Sequence, residues 1–219
     1  MDYLFLALLY FLSGFLMKLS DDAYDEQGDK KIAVISGIFS GILIGYLVVN
    51  SQDAAYIFLA IMLGTLLSRK IDGVHHFLTL ITFLVFTFIG GFPSLVFLTL
   101  SLCTLAAYLD ELGHDNIRLK KHEFWIIFFK YRFTLKLLII LLGILTFLKT
   151  FHIFNPVYLD LLNPSAIVYF LLFEISYELS GYSFNQVYKS IYTISDNIRL
   201  HKLIFNLKKL NHQILGLFC

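Results

Sequence analysis

Gly90-Gly91-Phe92-Pro93 interrupts an apolar run that otherwise continues from Phe77 to Leu109, and the reading of that interruption decides how many times the chain crosses a membrane. Two glycines and a proline within four residues weaken a helix and deny it a backbone donor. The run therefore divides into segments at about 77–90 and 92–109. Outward from it, apolar runs at about 3–19, 32–50, 54–68, 133–149 and 165–180 bring the number of spans to about seven. Several are nearer 15 residues than the roughly 20 a span usually needs, which implies local thinning, helices extended by polar flanks, or a partly re-entrant segment.

Basic residues support the division. With seven spans and an outside N-terminus, 16 of the 17 Lys and Arg, all but Lys149, fall on one side, and the positive-inside rule makes that side cytoplasmic. A single crossing over 77–109 would carry Arg118, Lys120 and Lys121 outside. The expected fold is an all-α, multi-pass transmembrane bundle over residues 1–180 in the cell membrane, followed by a cytoplasmic amphipathic tail over 181–219.

Composition agrees with that class. The 219 residues are 58% hydrophobic and 15% charged, with a mean hydropathy of +0.76, well above an ordinary soluble domain. A net charge of +1 gives no global field to attract nucleic acid. Cys103 and Cys219 offer neither a metal spacing nor a credible disulfide, and the ending Leu217-Phe218-Cys219 is no prenylation box. The first apolar segment lacks a basic leader and a small-residue cleavage site, so it reads as a retained span. Gly37, Gly41 and Gly45, four apart in the second run, form a stripe that lets helix backbones approach closely. Phe124 to Arg132 mixes aromatic and basic residues in the manner of an interfacial segment. Leu200, Leu203, Leu207, Leu210, Ile214 and Leu217, with Arg199, Lys202, Lys208 and Lys209 around them, suit a helix resting on an anionic leaflet or on a partner protein.

Hydrophobic proteins have few acids to place, and nine of the 16 here fall in three patches that this topology sets on the cytoplasmic face. The first is Ser20-Asp21-Asp22-Ala23-Tyr24-Asp25-Glu26-Gln27-Gly28-Asp29-Lys30-Lys31. If the first helix continues past Lys18, Asp22, Asp25 and Asp29 share one face, where three like charges call for a cation; oxygen ligands of this kind suit Mg²⁺. The second patch is Arg69 to His76, and the third is Asp110-Glu111-Leu112-Gly113-His114-Asp115, in which Glu111 and Asp115 share a face. Acids on two helix ends with cations between them suit a diphosphate. Metal would bridge phosphate oxygens to the acids while Arg69, Lys70, Lys30 and Lys31 neutralise the remainder. His75 and His76 are adjacent and so cannot share a helix face, which makes surface polarity a better reading than a zinc pair. Glu174 and Glu178 lie in or near the last run, with Lys136 in the preceding run as a possible partner.

Asp21-Asp22-Ala23-Tyr24-Asp25-Glu26-Gln27-Gly28-Asp29 resembles the first signature of the UbiA-type membrane prenyltransferases, Asn-Asp-x-x-Asp-x-x-x-Asp, with Asp for Asn. Glu111-Leu112-Gly113-His114-Asp115 is similar to their second, Asp-x-x-x-Asp, with Glu for the first Asp, and four spans separate the two signatures in both cases. The resemblance implies a Mg²⁺-dependent prenyl transfer to an unidentified acceptor in lipid or quinone biosynthesis. Asp22, Asp25, Asp29, Glu111 and Asp115 would hold metal, Asp22 and Asp25 with Arg69 and Lys70 would be catalytic, and Lys30, Lys31, Arg69 and Lys70 would bind the isoprenoid diphosphate. Other classes compete with this reading. An ion-coupled carrier would use Glu174 near mid-membrane. A CDP-alcohol enzyme would open its signature with Asp-Gly-x-x-Ala-Arg, which is absent. A non-catalytic membrane protein would recruit a partner through its tail.

Overall fold

The computed structural model describes residues 2–71, 73–115, 122–153 and 158–215, except for the side chains of residue 115 and of 195–215. All its regular structure is helical among the described residues: α1 (Tyr3–Asp25), α2 (Lys30–Asn50), α3 (Gln52–Leu67), α4 (Val74–Gly90), α5 (Phe97–Asp115), α6 (Glu123–Lys130), α7 (Phe133–Thr150) and α8 (Ser165–Leu215). Three of them, α1, α2 and α7, are long and apolar enough to cross a membrane, while α3 and α4 are shorter apolar helices. The chain divides into Met1–Gly181 and Tyr182–Cys219. In the second unit, α8 carries Phe184, Tyr188 and Tyr192 four apart, with successive ring centroids 5.5 and 5.0 Å from one another. The leucine stripe from Leu200 to Leu217 lies outside the described side chains.

Polar residues set the helix ends. α4 stops at Gly90, where Gly91 takes a left-handed φ of +87° and the chain stays non-helical until Phe97. Ser51 caps α3 by accepting from the Ala54 amide. The cap of α7 comes from another helix: Asp110 of α5 accepts the Thr134 and Leu135 amides at 3.0 and 2.9 Å. That supplies partners for two of the amides a helix N-terminus leaves unpaired.

Inside the first unit, α3 is the most enclosed helix, with Ala54 to Ala60 all buried. Glycines bring backbones together around it. A Cβ at Gly41 would lie 2.6 Å from the Thr79 carbonyl oxygen, joining α2 to α4, and one at Gly64 would lie 2.9 Å from Ala107 Cβ, joining α3 to α5. One at Gly14 would lie 3.0 Å from the Phe173 carbonyl carbon, joining α1 to α8. Ser20 and Ser40 hydroxyls donate to the carbonyls of Ala33 and Ser13, tying α1 to α2. The outer surface is strongly apolar, with Leu4, Phe88, Ile89 and Phe97 all exposed, the pattern of a protein solvated by hydrocarbon. None of the α6 residues is buried.

The two ends of the bundle are polar in different ways. At the end holding the start of α3, the Tyr56 hydroxyl donates to Asp160 at 2.5 Å, Gln52 donates to the same oxygen at 2.9 Å, and the Val96 amide donates to the Tyr56 hydroxyl at 2.7 Å. Asp53 accepts the Asn163 amide nearby. The opposite end carries ion pairs of Lys18 with Asp22 and of Lys70 and Arg132 with Glu111.

Candidate functional site

The charged end is built from the last turns of α1, α3 and α5, the first turn of α4, the turn before α7, and α8. The three acidic patches of the sequence meet there through ion pairs. Lys70 places its ammonium 2.8 Å from Glu111 and also donates to the Glu111 carbonyl, and the Arg132 guanidinium lies 3.0 Å from the other Glu111 oxygen. Arg132 sits in the turn between α6 and α7 at a left-handed φ of +50°, uncommon for a residue with a side chain. Burial works against its charge, but Glu111 leads the neighbours that outweigh it, so its pKa lies above the ordinary arginine value. Next to this group the Tyr177 hydroxyl donates to Asp21 Oδ2 at 2.9 Å.

Asp21 is also the meeting point of the two histidines. Its Oδ1 lies 3.7 Å from His75 Nε2 and 3.7 Å from His76 Nδ1. One ligand atom from each of the three residues falls within 4.8 Å of the others. His75 is 1% exposed, and neither of its ring nitrogens has a hydrogen-bond partner; Asp21 Oδ1 is buried and equally without one. The ring is held by stacking on Tyr24, centroids 4.4 Å apart. It also needs Gly73: a Cβ there would stand 2.5 Å from His75 Nδ1.

A cavity of about 150 Å³ opens from these groups into the bundle. Asp21, Lys70, His76, Arg132 and Tyr177 line its polar end, and Met17, Ile44, Phe58, Ile61, Leu80 and Phe83 are among its apolar lining.

Several sequence expectations fare differently. α1 does continue past Lys18, but it stops at Asp25, and Gly28 with φ +63° turns the chain so that Asp29 becomes the cap of α2, accepting the Lys31 and Ile32 amides. Asp29 therefore leaves the face it was expected to share with Asp22 and Asp25. Asp22 is buried and paired with Lys18 at 2.8 Å, whereas Asp25 is exposed. Glu111 is held by two cations, and the Asp115 side chain lies outside the described residues, as do Asp72 and residues 116–121. Of the described acids, Asp22, Asp29 and Glu111 are thus matched by a cation or by backbone amides, and Asp25 is left exposed. Lys30, Lys31 and Arg69 are exposed and absent from the cavity lining; Lys70 lines it. The adjacent histidines, whose spacing favours surface polarity, depart from it: His75 is enclosed and both rings reach one carboxylate. In the first turn of α4 two long side chains on neighbouring faces can still converge on an atom beyond the helix end. Glu174 does pair with Lys136, at 3.1 Å, and Lys136 also donates to the Tyr131 carbonyl.

No family model, no curated protein and no solved structure matches this chain. The class defined by its own geometry is, among the described residues, an all-helical protein with three helices long and apolar enough to cross a membrane and an amphiphilic cavity at one end of the bundle.

Proposed function

We propose that the chain is a membrane protein whose cavity takes an amphiphile with a phosphate or diphosphate head, the isoprenoid diphosphates being the class its sequence resemblance favours, and that prenyl transfer is the reaction served. In this reading α1 to α5, α7 and the start of α8 are the seven crossings, with the N-terminus outside and the tail cytoplasmic. One observation carries it: a single cavity joins an apolar interior to a mouth bearing Lys70 and Arg132. An aliphatic tail gains by leaving water for such walls, and a phosphate gains from charge-assisted bonds to an ammonium and a guanidinium.

The volume limits the fit. A cavity of about 150 Å³ is of the size that admits benzene when lined with apolar groups, so one five-carbon unit fits and a longer chain must extend toward the lipid. In a transfer reaction the allylic carbon–oxygen bond would break, with Lys70 and Arg132 meeting the charge of the departing diphosphate. The apolar walls would keep water from the cation. The test is binding to the purified chain in nanodiscs of dimethylallyl diphosphate, inorganic diphosphate and the corresponding alcohol. The ester should bind at least about tenfold more tightly than either half, and Ile61→Trp, which fills the cavity, should abolish the difference. Equal binding of the ester and inorganic diphosphate would remove the reading.

A further inference from the structure

We infer that Asp21, His75 and His76 form a binding site for a divalent transition-metal ion of the zinc class, with one coordination position open to the cavity. This goes beyond the amphiphile reading and does not depend on it. Two imidazole nitrogens and one carboxylate oxygen from two helix ends suit zinc, iron or cobalt, whereas Mg²⁺ prefers an all-oxygen shell.

The distances are close to those of a loaded site. Ligand atoms about 2.0–2.1 Å from a tetrahedral metal stand roughly 3.3–3.4 Å from one another. Asp21 Oδ1 lies 3.7 Å from a nitrogen of each histidine, so a shift of a few tenths of an ångström closes those two edges. The remaining edge is within 4.8 Å, and a turn of the half-exposed His76 ring shortens it. His75 gives the independent sign. A buried imidazole without a hydrogen-bond partner is costly, and Nε2 of this one is aimed at an equally unpartnered carboxylate oxygen. Tyr177 completes the design by donating to Asp21 Oδ2. That orients the carboxylate and leaves Oδ1 for the ion, the role that outer partners of metal ligands usually fill.

Three protein ligands leave the fourth position for water or substrate, the arrangement of a catalytic rather than a structural zinc. Because Asp21 and His76 line the cavity, that position faces it. There Lys70 and Arg132 are offset by Asp21 and Glu111, and a divalent ion would turn the mouth net positive toward a phosphate head.

The experiment is zinc titration of the untagged, chelator-stripped full chain in detergent, without lipid phosphate, followed by calorimetry and by metal analysis after gel filtration. One Zn²⁺ per chain should be held at this site, resistant to millimolar Mg²⁺, with an X-ray absorption spectrum showing two imidazole ligands. Asp21→Asn and His76→Ala should each weaken it at least about a hundredfold, and Tyr177→Phe about tenfold. His75 is buried and its variant could misfold, so His76→Ala, with helicity and gel-filtration profile unchanged, is the deciding variant. Undiminished stoichiometry and affinity in His76→Ala, displacement by Mg²⁺, or no Zn²⁺ retained by the wild type would each overturn the inference. Failure of dimethylallyl diphosphate to bind would leave it standing.

Discussion

The two polar ends of the bundle handle their carboxylates in opposite ways. At the end where α3 begins, Asp53 and Asp160 accept hydrogen bonds from an amide, a carboxamide and a phenol, all neutral. These bonds fasten the segment before α8 to α3. At the other end Asp22 and Glu111 face Lys18, Lys70 and Arg132, and Asp21 faces two histidines. Neutral donors suffice to hold loops in place. Charged partners gathered beside a cavity, with polar atoms left over, are the arrangement a protein needs to receive a charged ligand.

That contrast can be broken by measurement. The largest effect should come from Glu111→Ala, which leaves two part-buried cations without their carboxylate. A loss of about 3 kcal/mol, at the lower end for buried pairs because both cations reach water, should appear as a lowered melting point in detergent. The gap to wild type should narrow as salt rises, since salt screens the pairs that wild type has and the variant lacks. Tyr56→Phe at the neutral end should cost about 2 kcal/mol by removing a donor to Asp160 and stranding the Val96 amide. Its cost should not change with salt; equal salt dependence at both ends would dissolve the distinction. The smallest effect belongs to Asp25→Asn. Asp25 is exposed, so melting, zinc retention and amphiphile binding should all match wild type. Loss of binding there would favour the Mg²⁺ signature that Asp25 belongs to in the sequence resemblance.

Helices were readable from the sequence because the physics that makes them is local. Each apolar run lies within or overlaps a helix, and the break at Gly90-Gly91-Phe92-Pro93 appears as the end of α4 and the non-helical link to α5. The α1 boundary ran past its apolar segment because Ser20, Asp22 and Ala23 are buried by tertiary packing, which no local pattern reports. In the site, the convergence of Lys70 with Glu111 followed from topology. The departure of Asp29 turned on one left-handed glycine, Gly28, which a count of spacing along a helix ignores. Helix faces alone hide the histidine pair, because the two rings converge on a carboxylate that lies off their own helix. Gly73, two residues before His75, was the available sign, as a residue that leaves room for a ring.

The close backbone contacts at glycine have a consequence for access. They bind α2 to α4, α3 to α5, and α1 to α8, while the cavity draws its lining from α1, α2, α3, α4 and α8 and from the turn before α7. Between α3 and the helices α1 and α8 the contacts are instead between rings, Tyr10 with Phe58 at 5.4 Å between centroids and Phe58 with Phe173 at 5.2 Å. On the amphiphile reading proposed above, a hydrocarbon chain entering sideways would meet those side chains, which can rotate, rather than backbones locked together at glycine.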